Sequence, residues 1–399
     1  MDSADRIYKE LLHEGAGIWY IADDYGEKVM VKASSNAIKS LIAGCKMDFL
    51  FGKDSQHIFP IFHAGARIFD DPVHYLALTS AQRFRQEHRA IKKIMQMETV
   101  TIHFHNELTV CIATATLAIA KKDRDQIITL LGNVEDLYSG EFNQHTNRSL
   151  DCFDYSIRKE QLTAHVQEIP VVIAEGMLKD FIMMENIFVG SHERNHIVID
   201  DKDEGGIFEK QIWVTFDRMF LNDLHRSPQI ADKYGFRELT DVLAFHQYGI
   251  FLIETKALSV LDTTKERDMN RNVAGLQKQI VKGIDQMKGA AKKVAANIEI
   301  FDSKGNLLRF DQSIVPHCIV LVSELLPFGD WKAVELKMMQ AMIDQPMYLN
   351  VMDLRELMLY IGYARGSKER LDASLMDRVE QFVQHQNIHL RVTGEKRDS

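Results

Sequence analysis

Asp241, Glu254 and Lys256 are the residues whose types and spacing best fit a chemical task. Glu254 and Lys256 stand two apart in the apolar run 250–257, so in a strand their side chains leave the same face. A second apolar run, 241–245, opens with Asp241, and only His246-Gln247-Tyr248-Gly249 separates the two. That is short enough to close an antiparallel hairpin. With Gln247-Tyr248 as the loop, Asp241 falls opposite Glu254, their β-carbons roughly 5 Å apart. With Tyr248-Gly249 as the loop, Asp241 falls opposite Lys256 and diagonal to Glu254. Either register gathers two carboxylates and one ammonium. Carboxylates facing each other in an apolar hairpin repel unless a proton or cation intervenes. Hard divalent cations, Mg²⁺ or Mn²⁺, suit such oxygens and keep several waters. They supply what phosphodiester hydrolysis lacks near neutral pH, a hydroxide and positive charge against the pentavalent phosphate.

The surrounding elements read as α/β. Residues 171–189 are expected to be a helix, and 190–206 a polar loop. Phe208, Ile212, Phe216 and Phe220 recur at four-residue spacing, which predicts an amphipathic helix opening at Gly206-Ile207-Phe208-Glu209. After the hairpin, apolar residues from Val273 to Val294 recur at threes and fours, predicting a long helix with one buried stripe. Residues 316–323 read as a buried strand, 348–351 as a last strand, and 354–362 and 375–386 as helices.

Asp241, twelve residues, then Glu254-Thr255-Lys256 resembles the D…(D/E)xK signature of the PD-(D/E)XK nuclease superfamily. The resemblance covers roughly 206–325. It implies a restriction-endonuclease-like core: a helix, a three-strand meander, a helix and a further strand. It also implies that Asp241 and Glu254 hold the metal, that Glu209 on the first helix assists, and that Lys256 orients the attacking water or stabilises the transition state. A glutamine after the ExK strand completes some such sites, and Gln279 and Gln286, flanking Gly283, both qualify. Thr240 stands where the motif's name has proline. The family's habits point to DNA over RNA, and by analogy alone to restriction or antiviral defence. An acidic-x-Lys triplet by itself is uninformative, because Asp200, Asp302, Asp330 and Glu335 also start one. Only the triplet at Glu254 ends an apolar strand that follows an aspartate-led one. The plain alternative is a solvated ion pair at the hairpin's polar end.

Residues 265–293 hold eight Lys or Arg against three acids, a net +5 in a chain of net charge −9. Lys278 and Lys282 on the long helix are therefore expected to meet a phosphate backbone; the alternative is a solvated helix face. A rival motif, His192-Glu193-Arg194-Asn195-His196, matches the zinc-peptidase HExxH. That chemistry needs a helix, whereas Gly190-Ser191 before it and Ile197-Val198-Ile199 after it read as a loop entering a strand. His103 and His105 share a strand face without an evident third ligand, and Trp213 reads as helix core.

The whole chain bounds these readings. Its 399 residues exceed one compact core, and two domains are expected. Residues 1–165 would form a mixed α/β recognition, regulatory or oligomerisation domain, and 166–399 the nuclease-like domain with appended helices. In the first, strands are expected at 17–21 and 29–31, a helix at 81–97 and a hairpin around Asn106-Glu107. Four scattered cysteines form no CxxC pair and fit reduced thiols. No apolar run reaches membrane-span length and the start has no apolar signal core, so a cytoplasmic protein with no membrane partner is expected. Partners would be nucleic acid and a second copy or another protein at the first domain. A nuclease-like fold kept for binding alone is the non-enzyme alternative.

Overall fold

The computed structural model describes residues 3–70, 75–158, 166–190, 194–232, 235–257, 269–326 and 328–390. The protein is mixed α/β and divides into two compact units, the first ending at Met184 and the second beginning at Glu185.

The first unit runs α1 (Ser3–His13), β1 (Gly17–Asp23), β2 (Gly26–Lys32), α2 (Ser35–Ile42), β3 (Met47–Asp54), β4 (Ile61–Ile68), β5 (Leu76–Gln82), α3 (Arg85–Met95), β6 (Thr99–His105), β7 (Cys111–Ile119), α4 (Lys121–Leu131), α5 (Gln144–Arg158) and β8 (Val171–Met183). Its eight strands form one sheet in the order β1-β2-β6-β7-β8-β3-β4-β5. Every pairing is antiparallel except β2 with β6. Phe49, Phe51, Phe62 and Phe104 fill its core. The two strands expected at 17–21 and 29–31 pair as β1 and β2, and the expected hairpin around Asn106-Glu107 is formed by β6 and β7.

The helix expected over 171–189 is not formed. Val171–Met183 is a strand held between β3 and β7, and the chain turns before Asn186–Val189, a second strand. Two flanking partners outweigh local propensity here. A bulge hides the strand's period. Thr114 pairs with Ile182 and Thr116 with Lys179, so Ala115 faces both Asp180 and Phe181. Asp180 takes φ 53 to make the step. With β8 bound into the first sheet, the division falls at Met184/Glu185 and not near 165.

The second unit opens with a small antiparallel pair, β9 (Asn186–Val189) and β10 (Arg194–Ile197). There follow α6 (Glu204–Phe220), β11 (Leu224–Arg226), β12 (Gln229–Asp232), β13 (Gly235–Glu238), β14 (Val242–His246), β15 (Gly249–Lys256), α7 (Met269–Ala295), β16 (Ile300–Phe301), β17 (His317–Val322), α8 (Lys332–Asp344), β18 (Tyr348–Asp353), α9 (Leu354–Ala364) and α10 (Lys368–His385). Its main sheet has the order β11-β14-β15-β17-β18. The first two pairings are antiparallel and the last two parallel; β12, β13 and β16 form a separate small sheet.

The two helices that matter for the site cover opposite faces of β15. Phe251 meets Phe220 of α6 at 5.2 Å between ring centroids. Its neighbour Leu252 belongs to the buried cluster with Leu276, Ile280, Ile284 and Met287 of α7. Adjacent strand residues point to opposite faces, so β15 is buried on both sides by the helix before it and the helix after it. No described helix is long and apolar enough to cross a membrane.

Candidate active site

The hairpin takes the first of the two registers open to it. His246 pairs with Gly249 and Val242 with Ile253, so the loop is Gln247-Tyr248; Asp241 immediately precedes β14, and the same register carried one residue further puts it level with Glu254. Two bonds fix the chain on entry to β14: Thr240 Oγ1 donates to the Ile253 carbonyl at 2.7 Å, and Ser227 N donates to the Asp241 carbonyl at 2.8 Å. At the motif's proline position, Thr240 thus clamps the two strands with a hydroxyl that proline lacks.

The side chains are held as closely. Thr255 donates its amide at 2.6 Å and its hydroxyl at 2.7 Å to one Asp241 oxygen, Oδ2. Glu254 is 3% exposed, and Lys256 Nζ donates to its Oε1 at 2.6 Å. The side chains of this pair are only 12% and 4% exposed, so the pair is buried and not solvated. Behind Lys256 the backbone of α7 comes close at Gly283. A β-carbon there would lie 2.8 Å from Val320 Cγ1 and 3.5 Å from Lys256 Cε.

Burial, and next the charge of Asp241, push the Glu254 carboxyl above its ordinary range against the pull of Lys256. Glu209, half-buried on α6, is raised by burial and by Asp241, Glu238 and Asp203, with Arg226 opposing. Both shifts follow from desolvation and like charge, which disfavour the ionised form.

Asp241, Glu254 and Lys256 therefore come together, and Glu209 lies within their field. They do not close into a cage: among the described residues no three His, Cys, Asp or Glu side chains group as metal ligands. The Asp241–Glu254 donor set, oxygen only, fits a hard cation that needs one or two carboxylates and keeps its waters. It does not fit a structural zinc cage, which takes four N or S ligands.

Other expected members sit further out. Gln279 and Gln286 are both exposed on α7, as are Lys278 and Lys282. The glutamines flank buried Gly283 one helical turn either way and so lie at the rim, not between α7 and the sheet. Of the remaining basic residues counted over 265–293, Lys265 and Arg267 lie outside the described residues, as does the side chain of Arg271. Lys288 is tied to Asp344. Structure adds Thr255, Thr240, Arg226 and Glu238 to the surroundings. Glu238 carried a signal, standing three residues before Asp241; Thr255 was concealed as the motif's variable position.

His192 and Glu193 of the rival motif lie outside the described residues. Its remaining part, from Arg194, is strand β10, paired with β9, and His196 Nδ1 sits 2.8 Å from Glu185 Oε1. A strand sets side chains on alternate faces and does not give the helical turn that zinc HExxH requires. In the first unit, burial lowers the pKa of His103 and, to about 4, that of His105, which keeps both rings neutral within their strand.

No family model matches the chain, and no curated protein and no solved structure is found to be similar to it.

Proposed function

We propose that the second unit is a metal-dependent nuclease of the PD-(D/E)XK kind, hydrolysing phosphodiester bonds with Asp241, Glu254 and Lys256 at its centre. One observation carries this reading. Asp241, just before β14, lies near enough for its charge to raise the Glu254 carboxyl at the end of a buried hairpin, and the Lys256 ammonium sits on Glu254 at 2.6 Å. The order of elements supports it. α6, the antiparallel neighbours β11-β14-β15, α7 and then parallel β17 follow the helix, meander, helix and strand order that the resemblance implies, with β12 and β13 inserted between β11 and β14.

In this reading Asp241 and Glu254 hold Mg²⁺ or Mn²⁺, with Glu209 assisting. The bound metal supplies a water acidified toward hydroxide and positive charge for the phosphate. The protein's own residues do the rest. Thr255 fixes the Asp241 carboxylate, so that its second oxygen keeps one direction. Glu254 must be ionised to serve, and Lys256 favours that ionised form. Lys256 is also the cation beside the reacting phosphate, placed to orient the attacking water or to stabilise charge on the phosphoryl oxygens. Water adds to phosphorus, the ester oxygen departs and takes up a proton, and a phosphomonoester and a hydroxyl remain. Gln279 at the rim is a further candidate for the water's positioning. Lys278 and Lys282 would meet the nucleic-acid backbone.

DNA is the first substrate to test, because most of the resembled family cuts DNA; a restriction or antiviral role would follow by the same analogy. The first unit is assigned recognition, regulation or assembly, and the site of action the cytoplasm. The test incubates plasmid, single-stranded DNA and RNA with Mg²⁺ or Mn²⁺, comparing the natural chain with Lys256→Ala. The expected result is cleavage that chelator and Lys256→Ala both abolish. Cleavage unaltered in Lys256→Ala overturns the assignment, and nucleic-acid binding with no cleavage under any metal favours a binding protein on the same fold.

A further inference from the structure

Lys256 is placed for one task and needed for another. To act on a phosphate its ammonium must stand beside the phosphoryl oxygens, yet Nζ is 2.6 Å from Glu254 Oε1. Residues 254 and 256 leave the same face of β15, and the lysine folds back along its own strand to reach the carboxylate. The two side chains are only 4% and 12% exposed. Glu254 Oε1 is the one acceptor that the ammonium has among the described residues, although an ammonium carries three donors. The bond therefore serves the glutamate more than the lysine. A desolvated carboxylate is held in its ionised form by a cation against it. Burial, and next the charge of Asp241, work against that form here, and the hydrogen bond and charge of Lys256 work for it.

A divalent cation on Asp241 and Glu254 meets the same need more strongly. Two positive charges on one desolvated carboxylate repel each other, so metal and ammonium compete for Glu254. The lysine has a way out. Its stem is flexible and four carbons long, and Gly283 sets no side chain against it: a β-carbon there would lie 3.5 Å from Cε. Asp241, Thr255 and Lys256 are all partly exposed, so this end of the hairpin opens to solvent.

We propose that Lys256 is the resident counter-ion of the metal site: it neutralises Glu254 until the divalent cation binds, is displaced from Oε1 by that cation, and only then meets the phosphate. Arrival of the metal and readiness of the lysine become one event. A nucleic acid that arrives before the metal finds the ammonium engaged. The site is thereby regulated by the ion it uses.

This inference rests on the nuclease reading for the phosphate, and its test reads the lysine and the metal without cleavage. The full-length protein is methylated with formaldehyde and a mild reductant, with and without Mg²⁺ and in the absence of nucleic acid. Peptide mass spectrometry follows Lys256 against the other lysines. Mg²⁺ is expected to speed its modification at least about fivefold, the low end of coupling between two ligands. Mn²⁺ binding is measured by the electron paramagnetic resonance signal of the free ion, at about pH 8 so that protons compete little for the carboxylates. Lys256→Met, which keeps most of the stem and removes the charge, is expected to bind Mn²⁺ at least about fivefold more tightly than the natural chain. A lysine that only supported the site would give the opposite sign. Modification unchanged or slowed by Mg²⁺ overturns the proposal whether or not Lys256→Met folds, and so does Mn²⁺ held no more tightly by the folded variant. Absence of Mn²⁺ binding removes the exchange and the nuclease reading together. Cleavage by a protein in which both readouts stay flat removes the exchange alone, and exchange in a protein that cuts nothing removes the nuclease alone.

Discussion

Thr255 gives both its donors to one oxygen of Asp241, the amide at 2.6 Å and the hydroxyl at 2.7 Å. The residue between the motif's Glu and Lys thus orients the motif's Asp across the hairpin. Two donors on a single carboxylate oxygen fix its plane and leave the other oxygen to a ligand. Thr255→Val keeps the β-branched shape and the amide bond and removes only the hydroxyl. A bond of this charge-assisted kind contributes about 1.5–3 kcal/mol at most. The expected outcome is a fall in kcat of about tenfold, since loss of about 1.4 kcal/mol of transition-state positioning is a factor of ten, with KM changed less. Steady-state cleavage assays on the two proteins decide it. Unchanged kcat would mean that the amide alone suffices.

Gly283 sets how close α7 comes to the site. A β-carbon there meets Val320 Cγ1 at 2.8 Å and Lys256 Cε at 3.5 Å. Replacing a helical glycine by alanine normally stabilises by about 1 kcal/mol. Overpacking a tight contact costs about 1–3 kcal/mol, and here the neighbour is a buried valine on a central strand, which cannot move aside. Overpacking is therefore expected to win. Gly283→Ala should lower Tm by a few degrees and reduce cleavage, because relief of the clash shifts α7 away from Lys256. Thermal unfolding and activity are measured on one preparation. A raised Tm with full activity would show that the helix adjusts freely at this point.

The parts of this design that could be read from sequence are those with their own period or their own punctuation. β14 and β15 are apolar runs joined by two residues, and α7 carries a stripe at threes and fours, so both were legible. β11 has three residues, too few to show any alternation, and the antiparallel part of the main sheet was one strand short without it. β8 failed for the opposite reason: long enough, but with a bulge at Asp180 that breaks its period of two. Gln279 and Gln286 show how far a helical period goes. It places them a turn either side of Gly283, yet it cannot tell that α7 sinks onto the sheet at the glycine and leaves both glutamines at the rim. The roles of Thr255 and Thr240 were invisible because their work is done by hydrogen bonds across the hairpin, which depend on a register that the sequence left open.

Glu209 gives a pH prediction. Burial, with Asp241, Glu238 and Asp203 nearby, raises its pKa above the ordinary 4.5. A carboxyl with a raised folded pKa binds its proton more tightly in the native state. Its contribution to stability is complete below the unfolded value and is lost as pH rises through the folded one. At neutral pH Glu209 is then a destabilising charge, and Glu209→Gln should raise Tm, by about 2 °C in a domain of this size. The gain should vanish near pH 4, where the natural glutamate is itself protonated. Cleavage should fall in the same variant if Glu209 assists the metal. Equal Tm differences at pH 4 and pH 7.5 would remove charge as the cause.

Lys278 and Lys282 are exposed on α7 four residues apart, one turn of one helix face. A lysine that meets a phosphate releases a condensed counterion, so each contact adds close to one to the slope of log affinity against log salt. A solvated lysine adds nothing. Lys278→Ala/Lys282→Ala, made in the Lys256→Ala background so that bound DNA stays whole, should therefore lower that slope by about two. Affinity should fall most at low salt, and the curves of parent and variant should converge as salt rises. Fluorescence anisotropy of a labelled duplex over 50 to 300 mM salt, values on the order of those where the effect is large, gives both slopes. Parallel lines with a constant offset would mean that the two lysines act through the fold of α7, and identical lines that this face of the helix is solvent and the backbone is held elsewhere.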